Sequence, residues 1–335
     1  MNVHVRSRML DAIARAAVRR VGRSLPLSLL LLAGTVSGSA AQGAGSTGAQ
    51  VLQFNAGSRA AALSGAYTAA HSDAEALFYN PAGAANLGWA GALSYETYVE
   101  QISVASAAGV LPVGRFSLGL GIVLLDGGEI AEIEPDPDFG GMTGRPTGRT
   151  ISASETAVRV TAASTFLDQR LRVGVSAGLV STSVGSDQLS APLFDFGAQF
   201  DLPVATLGLA LRNLGGGLTG DGSAELPTEL RLGASTGLLR SGRFSVALQA
   251  DLLRRITEES TGFLVGVEAG LVPAGSDLQL LARAGYSGAE GEGGLAPLKF
   301  GGGLVAGPLA LDYTFQHLDL LGGVHRFGLR WNGLR

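Results

Sequence analysis

The chain has 335 residues, with 24 Lys and Arg against 28 Asp and Glu, 51 Gly and no Cys. Without Cys there is no disulfide, thiol nucleophile or acylated lipoprotein Cys, and zinc would have to rely on carboxylates and four scattered histidines, His4, His71, His317 and His325. Gly at this density disfavours long helices, since each interior Gly costs about 1 kcal/mol relative to Ala, while 46% hydrophobic residues argue against disorder.

At the N-terminus, Arg15, Arg19, Arg20 and Arg23 precede an apolar run from Leu25 to Val36. Ser39-Ala40-Ala41 then offers the small residues a signal peptidase reads, so residues 1–41 are expected to be an export signal cleaved before Gln42. The run is too short for a comfortable membrane span, which needs about 20 residues. Removing residues 1–41 takes away six Arg and one Asp, leaving 18 basic against 27 acidic residues, a balance of −9. An acidic export product has no electrostatic footprint for nucleic acid.

Residues 42–88 form the next unit, and within it positions 51–87 do not alternate cleanly. Small residues (Gly57, Ala60, Ala61, Ala62, Gly65, Ala66) allow a backbone to pack closely inside a narrow lumen. Pro81 fixes its own φ and biases Asn80 towards extended geometry. Asn80 can close an Asx turn, and Gly83 permits a sharp bend. The physical reading is a plug; the plainer alternative is that Asn80-Pro81-Ala82-Gly83 turns the chain into its first strand.

From residue 89 to 335 the pattern has a period of two. Leu171, Val173, Val175, Ala177 and Leu179 oppose Arg172, Gly174, Ser176 and Gly178; Leu230, Leu232, Ala234, Thr236 and Leu238 oppose Arg231, Gly233, Ser235 and Gly237. Phe244 to Leu252, Phe263 to Leu271 and Leu309 to Phe315 repeat the arrangement. About fourteen such segments follow, near 90–99, 102–112, 115–126, 154–166, 170–181, 191–202, 205–214, 227–239, 243–254, 261–272, 277–287, 297–306, 308–318 and 322–332. Each approaches the ten residues or so that a tilted spanning strand needs.

The links alternate between tight turns (Val113-Gly114-Arg115, Asp168-Gln169, Pro203-Val204, Ser241-Gly242, Pro273–Ser276, Gly307-Pro308) and longer stretches (127–153, 182–190, 215–226, 255–260, 288–296). That asymmetry of short periplasmic turns and longer external loops fits an all-β transmembrane antiparallel barrel of about 14 strands in an outer membrane. A soluble β-sandwich also alternates apolar with polar residues, but would not sort its links by parity. With aromatic residues at 6%, the interfacial girdles should be thin.

In a barrel the apolar set faces lipid and the polar set lines the lumen. Inward positions then include Arg159, Arg172, Asp195, Gln199, Arg212, Arg231, Asp251, Glu268, Arg283, Lys299, Asp312, Arg326 and Arg330, carrying both signs so that they can pair. An outward Arg at the bilayer midplane would cost about 2–4 kcal/mol, which sets the register.

Motifs that suggest chemistry fail on context. Gly174-Val175-Ser176-Ala177-Gly178 matches a nucleophile elbow, but Ser176 falls mid-strand with no helix after it. Gly301-Gly302-Gly303 precedes no helix either. Glu129, Glu132, Glu134, Asp136 and Asp138 cluster in the longest link with no EF-hand spacing, and Pro135 and Pro137 should keep it extended. That link reads as a solvated, mobile loop. No catalytic residue, metal site or cofactor is expected.

The stretch 51–87 contains Phe54, Gly57, Ser58-Arg59-Ala60, Gly65-Ala66, Thr68-Ala69, Asp73, Ala76 and Asn80-Pro81-Ala82-Gly83. Later come Asp195-Phe196-Gly197, Asn213-Leu214-Gly215, Leu226-Pro227, Leu230-Arg231-Leu232-Gly233, Arg283-Ala284-Gly285-Tyr286, Leu311-Asp312-Tyr313 and His325-Arg326. In this order they resemble the PorV/PorQ family of outer-membrane proteins, whose fold is related to FadL-type barrels for hydrophobic solutes. The resemblance implies that residues 42–88 form an N-terminal hatch inside the lumen, with Gly57, Arg59, Gly65, Asp73, Asn80, Pro81 and Gly83 as its motif. It also implies a non-enzymatic role in type IX-like secretion or surface attachment, with outer-membrane lipid, secretion-system subunits and cargo proteins as partners. The loops 127–153, 182–190 and 215–226 would carry those contacts. The alternative is a FadL-like channel for long-chain fatty acids or other hydrophobic solutes.

Overall fold

A chain that alternates apolar with polar residues can satisfy both faces only if one meets lipid or a core and the other does not. In the computed structural model, described for residues 47–98, 102–218, 224–288, 297–318 and 322–333, that choice is made by closure. Fourteen antiparallel strands form one barrel in chain order, and the first pairs with the last. The strands are β1 (Ala90–Thr97), β2 (Ser103–Val113), β3 (Phe116–Pro135), β4 (Gly144–Phe166), β5 (Leu171–Val184), β6 (Asp187–Asp201), β7 (Thr206–Gly215), β8 (Glu229–Ser241), β9 (Phe244–Arg255), β10 (Ser260–Leu271), β11 (Leu278–Ser287), β12 (Leu298–Ala306), β13 (Leu309–Leu318) and β14 (Gly322–Asn332). The seam runs from Ala90 opposite Asn332 to Thr97 opposite His325. The expected signal, residues 1–41, lies outside the described residues.

The outer face carries Leu118, Leu120 and Leu124 on β3, Val173, Val175 and Leu179 on β5, Leu230 and Leu232 on β8, and Leu309 and Leu311 on β13, all exposed. Their neighbours in sequence are buried towards the inside, among them Arg159, Arg172, Asp195, Gln199, Arg231, Asp251, Arg283, Lys299, Asp312, Arg326 and Arg330. Aromatic side chains are few, and part of the exposed set gathers at one rim, while others such as Phe196 and Phe327 lie along their strands. Trp89, Phe116, Phe166, Phe200, Phe244 and Trp331, all exposed, stand where strands meet the short-turn rim, the level of the aromatic girdles of outer-membrane barrels.

One expectation is corrected. The longest link is not a loop, because β3 and β4 stay paired out to Pro135 opposite Gly144, with register shifts after Asp126 and Ala131. Ile130 faces Ile151 across the pair, and β-branched cross-strand partners favour continuation. Glu134–Arg145 at 2.8 Å and Glu132–Arg149 at 2.6 Å join the two strands. The acidic residues therefore belong to a hairpin. Pro135 is the last strand residue and Pro137 opens a 3₁₀ turn, Pro137–Phe139, the position where a missing N–H costs least. Beside it, the link expected at 182–190 shrinks to a turn at Gly185-Ser186.

The hydrophobic core lies within the barrel. Residues 47–88 run through the lumen as a five-residue helix, α1 (Ser58–Ala62), and 3₁₀ turns at Gln50–Leu52, Ala74–Phe78 and Pro81–Ala84. Leu63, Tyr67, Leu77, Phe78 and Tyr79 are buried there, in one cluster with wall residues Val104, Val123, Val180 and Leu193 for all but the separately packed surroundings of Ala66, Leu253 and Leu264. The segment starts at the long-link mouth, where Val51 N–H donates to Glu155 at 2.6 Å. It ends at the short-turn rim, where Asn86 donates to Gln169 at 3.1 Å.

Candidate functional site

The site is the contact between this segment and the wall, and its charged part closes on itself. Arg59 pairs with Asp73 and with Glu268, each at 2.7 Å. Asp73 pairs with Arg330 at 3.1 Å, Arg330 with Asp312 at 2.6 Å, Asp312 with Arg283 at 2.7 Å, and Arg283 with Glu268 at 2.6 Å. Three cations and three anions thus alternate in a ring. Two members come from the segment; the other four come from β10, β11, β13 and β14. Tyr67 Oη donates to Asp73 at 2.8 Å and accepts from Arg59 at 3.0 Å. A buried charge is costly unless each partner is satisfied, so the ring ties the segment to four strands at once. Burial would raise the Asp73 carboxyl, but Arg59 and Arg330 outweigh it and hold it below its ordinary value.

A second set of charges holds the middle of the segment. Asp251 accepts from Tyr67 N–H at 3.1 Å, Thr68 N–H at 3.0 Å and the Thr68 hydroxyl at 2.6 Å. Arg231 donates to Gly65 O at 3.1 Å and to Glu229 at 2.9 Å. Arg326 binds Glu96 and the carbonyls of Asn55 and Gly57. Arg172 instead pairs with Asp201 on the wall itself at 2.6 Å. Of the lumen-facing residues singled out above, Gln199, Arg231, Asp251, Glu268, Arg326 and Arg330 reach the segment directly, and Arg283 and Asp312 reach it through the ring.

The Asn80-Pro81-Ala82-Gly83 turn docks on the opposite wall. Asn80 Oδ1 accepts from Ala82 N–H at 3.0 Å, the Asx geometry, while its Nδ2 donates to Thr68 O at 2.8 Å, Ala198 O at 3.2 Å and Leu209 O at 3.3 Å. A Cβ on Gly83 would stand 2.6 Å from Ala70 O. Gly57 and Gly65 have φ of +84° and +78°, which L side chains rarely adopt.

Sequence reasoning overlooked the wall glycines. A Cβ at Gly121 would come within 2.6 Å of Leu77, at Gly266 within 2.7 Å of Leu63, at Gly285 within 2.5 Å of Ser64, at Gly301 within 2.5 Å of Ala62 and at Gly328 within 2.5 Å of Ser58. At Gly174, Gly197 and Gly208 it would overlap Pro81, Asn80 and Thr68. Inward glycines on eight strands therefore form the bed of the segment. The available signal was their recurrence at inward parity, since Gly weakens a strand unless another backbone comes close. Ser176, the elbow look-alike, is buried in β5 and shares a hydrogen bond of 2.8 Å with Thr161.

Nearer the long-link mouth the contact is looser. A cavity of about 10 Å³ lies among Val51, Leu52, Phe54, Ala56, Phe78, Tyr79, Val123, Arg159 and Arg212. That is about the room of one water. Arg159 is held by Asp195 at 3.0 Å, whereas Arg212 pairs with a Glu229 that it shares with Arg231 and Arg255. Arg212 Nε has no hydrogen-bond partner. Among the described residues no group of side chains is arranged to hold a metal ion.

No family model matches the chain, and no curated protein matches it. Solved structures do. The toluene transporter TbuX of Ralstonia pickettii superposes with a TM-score of 0.55 at 15% identity, over 83% of this chain and 98% of that one. A ΔS2 mutant of the TodX monoaromatic hydrocarbon channel gives 0.56 at 14%, over 82% and 97%. A FadL homologue of Pseudomonas aeruginosa gives 0.52 at 12%, over 83% and 98%. The fold is that of FadL-type barrels. At these identities the likeness concerns the fold alone.

Proposed function

We propose that the protein is a non-enzymatic outer-membrane channel for hydrophobic small molecules, with residues 42–88 as a hatch that must shift to open it. The observation that carries this reading is the layout of the lumen: a small cavity near the long-link mouth, lined by Val51, Leu52 and Phe54 beside Arg159 and Arg212, backed by a segment packed along the inner wall. The cavity holds no more than about one water, so a solute can lodge against Val51, Leu52 and Phe54 and pass on only if the segment moves. The apolar outer belt and the rim aromatics suit an outer membrane. Beside the cavity Arg212 keeps an Nε with no hydrogen-bond partner, which favours solutes with an acidic head, such as fatty acids, because Arg pairs well with carboxylates.

Passage can be tested in liposomes containing the full barrel. The hydroxyls of Ser58 and Thr314 lie 3.1 Å apart, and the native chain has no Cys. A Ser58→Cys/Thr314→Cys disulfide should therefore staple the hatch to β13. Uptake of a labelled fatty acid should fall when the pair is oxidised and recover on reduction, while deletion of residues 55–85 should raise it. Equal uptake in the stapled and reduced forms would remove the reading. A role in type IX-like secretion draws support from the motif resemblance only; it predicts that translocon subunits or cargo co-purify from the native membrane.

A further inference from the structure

Every acidic side chain in the ring has a cation, but the segment contains one buried carboxyl that does not. Glu75 is fully buried. Its Oε2 accepts the Ala60 N–H of α1 at 3.0 Å, and its Oε1 has no partner. No Lys, Arg or His pairs with it among the described residues. The carboxyl lies against Gly57, where a Cβ would overlap Glu75 Cδ. A buried polar atom left unpaired in a well-packed site needs an explanation.

We propose that Glu75 is a proton-operated catch: its neutral form keeps α1 seated in the lumen, and its ionisation loosens residues 57–75 from the wall. This regulation rests on the hatch reading given above. The charges around Glu75 are already committed. Within the segment, Arg59 and Asp73 belong to the ring and Tyr67 bonds both. Tyr79 Oη donates to Ala56 O. On the wall, Arg330 of β14 and Asp312 of β13 pair with each other, and Arg326 of β14 is taken by Glu96 of β1. Ionisation therefore adds a negative charge that meets only cations already engaged elsewhere, Arg330 with Asp312 and Asp73 and Arg326 with Glu96.

Burial and the neighbouring Asp73 carboxylate push Glu75 from an ordinary 4.5 up to about 7, against a partial offset from Arg330. A group raised in the docked state weakens docking as it ionises. Docking is unaffected below about pH 4.5, weakens between there and about 7, and stays weakened above. Asp73 does not oppose this trend in that window, because its cations hold it low. His71, also on the segment, is lowered chiefly by burial and then by Arg172, so it loses its charge before the upper part of that window.

Hydrogen exchange on the full chain in lipid nanodiscs, expressed as protection factors, tests the catch without any transported solute. Between about pH 5 and pH 8.5, protection at Ala60 to Ser64 should fall on the order of 100-fold. In Glu75→Gln, which keeps an acceptor for Ala60 N–H but cannot ionise, protection should stay high throughout. Should that variant fail to fold, the native protein still decides: the infrared band of a buried protonated carboxyl must be present at the acid end and absent at the alkaline end. Flat protection in the native chain, or the same fall in Glu75→Gln, would overturn the proposal. A channel that carries no solute would leave this result standing, so the two readings fail separately.

Discussion

The two ends of the lumen hold the same segment by different physics. Towards the short-turn rim, Arg59 and Asp73 join Arg330, Asp312, Arg283 and Glu268 in a closed ring of opposite charges. Near the long-link mouth, Val51, Leu52 and Phe54 meet the wall around a small cavity, with an Arg212 that is only partly satisfied. Charge pairing in a closed interior is directional and fails steeply, whereas apolar packing around a void can slide. The contrast suggests which end gives way first when a solute arrives.

The largest expected effect comes from breaking the ring. Arg59→Met leaves Asp73 and Glu268 each short of a cation and should weaken seating of the segment by about 3–5 kcal/mol. The readout is protease access to residues 47–88 in a barrel that still migrates as folded on gels; unchanged access would mean that the ring is not the anchor. A smaller effect tests the glycine bed. Gly197→Val drives a side chain into Asn80 and should cost about 1–3 kcal/mol by overpacking. Gly109→Ala has open space around its new Cβ and should stay within about 0.5 kcal/mol. If both behave alike in denaturant titrations, the bed is not shaping the contact. The smallest effect lies outside the lumen: Arg145→Ala removes a half-exposed pair with Glu134 and should change stability by less than about 1 kcal/mol. A larger loss would mean that the β3–β4 hairpin helps hold the barrel.

The wall was easy to read because a strand's two faces are written locally. Arg172 between Leu171 and Val173 has one tolerable orientation in lipid, and the same holds for Arg231 and Asp312, so parity alone sets their inward placement. The β3–β4 hairpin was harder. Acidic residues and prolines at 129–138 look like a loop in sequence, and only the facing Ile151, Arg145 and Arg149 turn them into a paired strand. The candidate site was legible as a list of inward charges but not as a circuit. Nothing near Arg59 in the chain says that it will meet Glu268, some two hundred positions away.

Two-residue periodicity and the parity of the links determined the architecture, because lipid penalises any exposed backbone group or misplaced charge wherever it occurs. Tertiary structure alone decided which charges pair, which glycines lie beneath the segment and which carboxyl is left without a cation. Those outcomes depend on distances of a few ångströms across a closed lumen, and residues far apart in the chain acquire such distances only once the last strand has met the first.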